Sequence, residues 1–260
     1  MPTQRLIACC LIVVLIAACR STPTPPATTD GAPLVLVPAG EFTMGSALLP
    51  NERPIHTVEL AAFWIDQHEV TNGDYQKCVA AQQCEAPASG YSDRHPDGYY
   101  NNPEFTNYPV AYVGWAEADR YCRWAGKRLP TEAEWEKAAR GTDGRSFPWG
   151  NTYDPARVTS SFDLELVTTA VDRHPDGASP YGAVDMAGTV WEWVADWYAE
   201  DYYTRSPRVN PTGPVTGTLH IIRGGGYGSF DAAQRTALRR DLEDDQRVPY
   251  VGFRCAISAQ

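Results

Sequence analysis

The chain is 260 residues long and acidic, with 22 Lys and Arg against 32 Asp and Glu and a formal net charge of −10. That balance argues against a nucleic-acid ligand, which selects a basic face. Eight Trp and fourteen Tyr point instead to a rigid, loop-rich core or an aromatic-lined groove.

Arg5 followed by the apolar run Leu6 to Ala18 has the pattern of a secretory signal, and the run is too short to span a bilayer comfortably. It ends in Ile16-Ala17-Ala18-Cys19, the lipobox pattern of small residues before a cysteine that bacterial lipoproteins acylate. Residues 1–18 are therefore the expected lipoprotein signal peptide and Cys19 the expected lipidation site, with an uncleaved N-terminal anchor as the alternative. Both readings place the body of the protein outside the cytoplasm, at a bacterial membrane of the cell envelope. Residues 19–33, rich in Pro and Thr, cannot build a core and read as a tether. No second linker interrupts residues 34–260, which predicts a single domain.

With Cys9, Cys10 and Cys19 set aside, Cys78, Cys84, Cys122 and Cys255 remain. An even number in an oxidising compartment favours disulfides. Three pairings are open; Cys78 and Cys84 flank a short polar loop and could close it locally. No Cys-x-x-Cys spacing poises a thiolate.

Val35 to Met44 predicts an early strand with a turn at Pro38 and Gly40, and Ile55 to Asp66 a further strand. Thr71, with Asp74 three residues on, caps a helix. Trp115, Ala118, Cys122 and Ala125 fall at helical spacing, which turns Cys122 toward the core. Thr131 and Glu134 form a capping box that starts another helix, and Gly141 ends it. Beyond it, recurring Pro, Gly and Asp predict long ordered loops, with strands returning near Trp191, Ile221 and Val251. Two or three helices beside short strands make an α+β domain.

The best binding-site candidate is Asp185-Met186-Ala187-Gly188-Thr189-Val190-Trp191-Glu192-Trp193. If Trp191 and Trp193 point one way along a strand, Glu192 points the other. A carboxylate between such neighbours needs a partner. That partner is a hard cation such as Ca²⁺, or an arginine such as Arg223 or Arg254. The segment Arg223-Gly224-Gly225-Gly226-Tyr227-Gly228-Ser229 superficially suggests a phosphate cradle, but no Gly-Lys-Ser/Thr follows, and close backbone packing explains the glycines more simply.

Together with Trp124-Ala125-Gly126-Lys127-Arg128-Leu129-Pro130-Thr131-Glu132-Ala133-Glu134-Trp135-Glu136 and Gly252-Phe253-Arg254-Cys255-Ala256, these segments resemble the formylglycine-generating enzyme family, also called sulfatase-modifying factors, over most of residues 34–257. The resemblance implies a C-type-lectin-like fold and pairing of Cys122 with Cys255. It implies a calcium ion at the positions matching Asp185, Gly188, Val190 and Glu192, the middle two acting through main-chain oxygens. A second calcium site would use Asp163, a carbonyl near Glu165, and contributions at Arg157 and Val158. Arg157 replaces an Asn ligand there, and its charge would repel the ion, so this site is expected to be empty or rebuilt.

In the family, two cysteines after the glycine run hold copper between their thiolates and perform the oxidation. The matching positions here are Ser229 and Gln234, whose hydroxyl and amide are poor ligands for Cu(I). No catalytic residue is assigned, and copper is not expected. The expected function is a lipid-anchored, calcium-stabilised recognition module for a peptide, a glycan or another envelope protein. An enzyme of the formylglycine-generating type and a structural envelope lipoprotein are the alternatives.

Overall fold

The computed structural model describes residues 23–90, 98–160 and 168–259. The signal run Leu6 to Ala18, Cys19, Asp163 and Glu165 lie outside them. Twelve regular elements follow in chain order: β1 (Leu34–Val37), β2 (Gly40–Met44), β3 (His56–Leu60), β4 (Phe63–Asp66), α1 (Asn72–Ala80), α2 (Trp115–Trp124), α3 (Glu132–Arg140), β5 (Trp191–Trp197), β6 (Leu219–Arg223), β7 (Arg240–Glu243), β8 (Val251–Phe253) and β9 (Ala256–Ser258). The strands make a three-stranded sheet ordered β1-β4-β9, a β2-β3 pair, and a four-stranded sheet ordered β7-β6-β5-β8 in which only β5 and β8 run parallel. Long loops fill the rest, giving a loop-rich α+β domain.

The strand expected over Ile55 to Asp66 is two strands. Ala61 and Ala62 separate β3, which pairs with β2, from β4, which pairs with β1 and β9. Alternation cannot reveal this break, because both halves bury side chains while serving different sheets.

Local signals set the helices. Thr71 accepts from the Asp74 amide to open α1, and the Gly114 amide donates to Glu117 at 2.6 Å to open α2. At α3 the Thr131 hydroxyl accepts from the Glu134 amide, and the Glu134 carboxylate accepts from the Thr131 amide at 2.8 Å. Gly141 ends α3 with φ +68°, a conformation that glycine adopts without strain. All nine residues of α3 are buried, so its charges need partners within the protein. Glu132 takes Arg239, Glu136 takes Arg140 and Arg223, and Lys137 donates to the carbonyls of Pro38 and Gly40.

Two hydrophobic clusters meet at β5. Trp191 and Trp193 pack with α1, α2 and both disulfides, whereas Val194 packs with α3 and β2 to β4. The disulfides are Cys78–Cys84 and Cys122–Cys255, with Cα separations of 5.3 and 5.6 Å. The second ties α2 to the loop between β8 and β9.

The N-terminal segment joins the domain before Leu34. The Thr29 amide donates to the Ala125 carbonyl, and buried Asp30 accepts from Lys127 at 2.7 Å and from the Tyr121 hydroxyl at 3.0 Å. Thr29 to Pro33, read in sequence as the end of the tether, is fastened to α2 and its C-terminal turn. A short polar stretch carries no sequence signal of that long-range docking.

Candidate functional site

The segment Asp185 to Val190 turns the chain into β5. Asp185 and Thr189 have φ of +54° and +55°, and Gly188 has φ +79°. A Cβ at Gly188 would meet the Thr159 carbonyl at 2.2 Å, so only glycine permits this close approach. Strand alternation then sends Trp191 and Trp193 to one side and Glu192 to the other, against α3.

There Glu192 is fully engaged. Its Oε2 accepts from Arg254 Nε at 2.7 Å and from Trp135 Nε1 at 2.8 Å, while Oε1 accepts from Arg254 Nη2 at 2.7 Å. Of the two arginines weighed as partners, Arg254 is the one present. Arg223 donates instead to Glu132 and Glu136 of α3. Burial opposes the charge of Arg254, but Glu192, with Glu69 and Asp185 behind it, overcomes that and raises its pKa.

The structure adds a residue that the sequence reading missed. Glu69, just before the Thr71 cap, is fully buried, and neither of its carboxylate oxygens has a hydrogen-bond partner. Its nearest cation is Arg254 Nη2 at 3.9 Å, beyond hydrogen-bond reach. Asp185 is also buried, and its Oδ2 has no partner. Burial pushes the Asp185 carboxyl up to about 8 and the Glu69 carboxyl well above the usual range, each reinforced by neighbouring acidic groups. Glu69, Asp185 and Glu192 therefore share one guanidinium, and only Glu192 is matched to it.

This arrangement bears on the expected ligand set. Glu192 has each oxygen already in a charge-assisted bond, whereas Asp185 and Glu69 hold the free oxygens. Among the described residues no three acidic, histidine or cysteine side chains form a group able to hold a metal on their own. Carbonyls of the Gly188–Val190 turn would have to complete any such set. At the second expected site, Arg157 donates from Nε to Asp154 at 3.0 Å and from Nη1 to the Asp176 carbonyl at 2.8 Å. Its guanidinium thus ties two short turns together.

The glycine run lies beside this turn. Gly224 and Gly225 have φ of +96° and +78°, and a Cβ at Gly225 would meet the Ala233 carbonyl at 2.7 Å. Close packing, not an anion cradle, explains these glycines. The Gly188 amide donates to the Gly224 carbonyl, linking the two turns. Ser229 and Gln234 come into contact: Gln234 Nε2 donates to the Ser229 carbonyl at 3.3 Å and to the Thr159 carbonyl at 3.4 Å. Ser229 Oγ accepts from the Gly226 amide at 2.9 Å. Neither side chain is a thiol. Serine and glutamine here offer hydrogen bonds and no ligand that selects Cu(I).

Comparison with known proteins agrees with this architecture. The model of the sulfatase-modifying factor enzyme 1-like domain matches residues 20–259. The formylglycine-generating enzyme of Streptomyces coelicolor is 35% identical over 291 aligned positions, covering 90% of this chain and 91% of that protein. Among solved structures, PvdO from Pseudomonas aeruginosa superposes with a TM-score of 0.76 at 26% identity, over 92% of this chain and 100% of that one. Treponema denticola variable protein 1, at 23% identity and a TM-score of 0.75 over 92% of this chain and 100% of that one, shares the fold. The chain belongs to the formylglycine-generating enzyme family, the sulfatase-modifying factors, and carries its domain from end to end of the described structure.

Proposed function

We propose that this protein is a lipid-anchored, extracytoplasmic recognition module of its family, stabilised by calcium and without the family's copper chemistry. The observation that carries this reading is the contact between Ser229 and Gln234 at the end of the glycine turn. These positions match the family's two thiols, and neither residue can supply a thiolate for Cu(I). A peptide, a glycan or another envelope protein is the ligand class that such a module would serve. The anchor rests on the Leu6 to Cys19 motif.

Calcium is supported by the unmatched oxygens of Glu69 and Asp185. Buried carboxylates without partners are costly unless they neutralise or meet a cation. Asp185 and Glu69, with carbonyls of the Gly188–Val190 turn, would hold the ion, while Glu192 stays with Arg254. Bound calcium would supply a fixed charge that lets both carboxylates remain ionised.

A second reading, an oxidoreductase of the formylglycine-generating type, draws on the name of the Streptomyces coelicolor relative that matches most of the chain. One assay separates the two. Copper-treated protein is given a cysteine-containing sulfatase peptide, and aldehyde is measured. The recognition reading expects none; aldehyde at a catalytic rate overturns it.

A further inference from the structure

The N-terminal segment leaves the domain at a fixed place. Thr29 donates its amide to the Ala125 carbonyl at the C-terminal end of α2, and Lys77 Nζ of α1 donates to the Asp30 carbonyl at 2.8 Å. The Asp30 carboxylate is buried against Lys127 and the Tyr121 hydroxyl. Ten residues separate Thr29 from Cys19 (29 − 19). A chain acylated at Cys19 therefore reaches at most about 36 Å from the bilayer to this point. A compact domain of this size is roughly 45 Å across. The face opposite the fastening point cannot rest on the membrane, and the end of α2 is held near it.

What α2 presents there suits an anionic surface. Arg120 and Arg123 share its exposed face with Ala116, and with Gln83, Asp119 and Trp124 they line an open depression of about 510 Å³. Arg123 pairs with Asp119 at 2.9 Å, but its side chain is 74% exposed against 19% for the carboxylate, so the cation stands outermost. Arg120 touches exposed Glu85 at 3.7 Å, a long contact in water that contributes little. Half-buried Trp124 packs on Tyr121 with ring centroids 5.5 Å apart, which joins the depression to the tyrosine that holds Asp30. An amphipathic indole beside outward arginines favours a boundary between lipid and water. The chain as a whole carries −10 and is repelled by an anionic membrane, so a local cation pair decides which face approaches.

We propose that the outer face of α2, around Arg120, Arg123 and Trp124, docks on the phosphates of anionic phospholipids. This rests on the lipid-anchor reading for the reach of the tether, and on the arginines for the charge of the partner. A zwitterionic surface offers them no net charge and is selected against.

The test places the full-length protein on vesicles of phosphatidylcholine alone or mixed with phosphatidylglycerol, and footprints it with phenylglyoxal read by peptide mass spectrometry. With phosphatidylglycerol, Arg120 and Arg123 should react roughly fivefold more slowly, the factor that one basic side chain contributes at an anionic surface. Raised salt should remove this protection. Arg205 and Arg208, exposed and paired elsewhere with Asp201 and Glu41, should react equally on both vesicles. Lys77, beside the fastening point, should be shielded from acetylation by phosphatidylglycerol in the wild-type chain and not in Arg120→Glu/Arg123→Glu. Equal rates at Arg120 and Arg123 on the two vesicles, equal slowing at Arg205 and Arg208, or shielding of Lys77 that survives the charge reversal overturns the proposal. The mass of the N-terminal peptide reports acylation in the same samples. An acylated chain without the footprint keeps the anchor and overturns the docking face, whereas an unacylated chain with the footprint removes the anchor and supports the face.

Discussion

Arg254 grips Glu192 with two donors, Nε and Nη2, each at 2.7 Å, and both side chains are wholly buried. Breaking such a pair from one side leaves a dry, uncompensated charge. Arg254→Met should therefore cost about 3–5 kcal/mol of stability, measured by denaturant unfolding. Glu192→Gln, which removes the charge opposite Arg254 and sets an amide NH2 against one of its two donors, should also destabilise. Near-wild-type stability in Arg254→Met would mean that the pair does not organise this core.

Calcium binding predicts a specific pattern of chelator sensitivity. EDTA should lower the melting temperature, and at calcium about a hundredfold above its dissociation constant the linkage is worth about 2.7 kcal/mol. Asp185→Asn and Glu69→Gln should each erase the difference between calcium and chelator. Glu192→Gln should retain it, because its oxygens belong to Arg254. Identical melting curves with and without chelator would remove calcium from the account.

The Cys122–Cys255 bond closes a loop with a sequence separation of 133. On the chain-entropy model a loop of that length contributes roughly 4–5 kcal/mol. Cys122→Ser, Cys255→Ser and the double variant should lose the same stability within error. Clear additivity of the two single losses would contradict their pairing.

Lys127 Nζ lies 2.7 Å from Asp30 and 2.5 Å from Asp66, with all three side chains buried. Burial outweighs the pull of the ammonium at Asp66 and raises its carboxyl from 3.8 to about 6. The folded state thus holds a proton that the unfolded chain releases from about pH 4 upward. Its contribution is complete below the unfolded value and is lost as pH rises through about 6; a displacement of that size corresponds to about 2–3 kcal/mol. Asp66→Asn should flatten the slope of unfolding free energy between pH 4 and 6. An unchanged slope would show that Asp66 ionises normally in the fold.

Much of the scaffold was legible because its signals are local. The Thr131–Glu134 box, the Gly141 stop and the helical spacing that buries Cys122 each lie within one or two turns of chain. The alternation about Glu192 was equally readable, since it needs only the strand period. What could not be read depends on partners far along the chain. Glu69 lies 116 positions before Asp185 (185 − 69), and nothing in its neighbourhood marks it as a buried, unmatched carboxylate. Choosing Arg254 over Arg223 for Glu192 required the packing of α3, which claims Arg223 for Glu132 and Glu136. Asp30 was hidden for the same reason, in a stretch whose composition suggests only a tether.

With the Ser229 hydroxyl and the Gln234 amide at the positions of the family's two thiols, the end of the glycine turn should not hold Cu(I). The decisive measurement is a titration of Cu(I) against a competing chelator, with the wild-type chain beside the Ser229→Cys/Gln234→Cys variant. The wild-type chain should take no copper from the chelator, whereas the paired cysteines should. Stoichiometric, tight Cu(I) binding by the wild-type chain, lost on substituting Ser229 or Gln234, would contradict it.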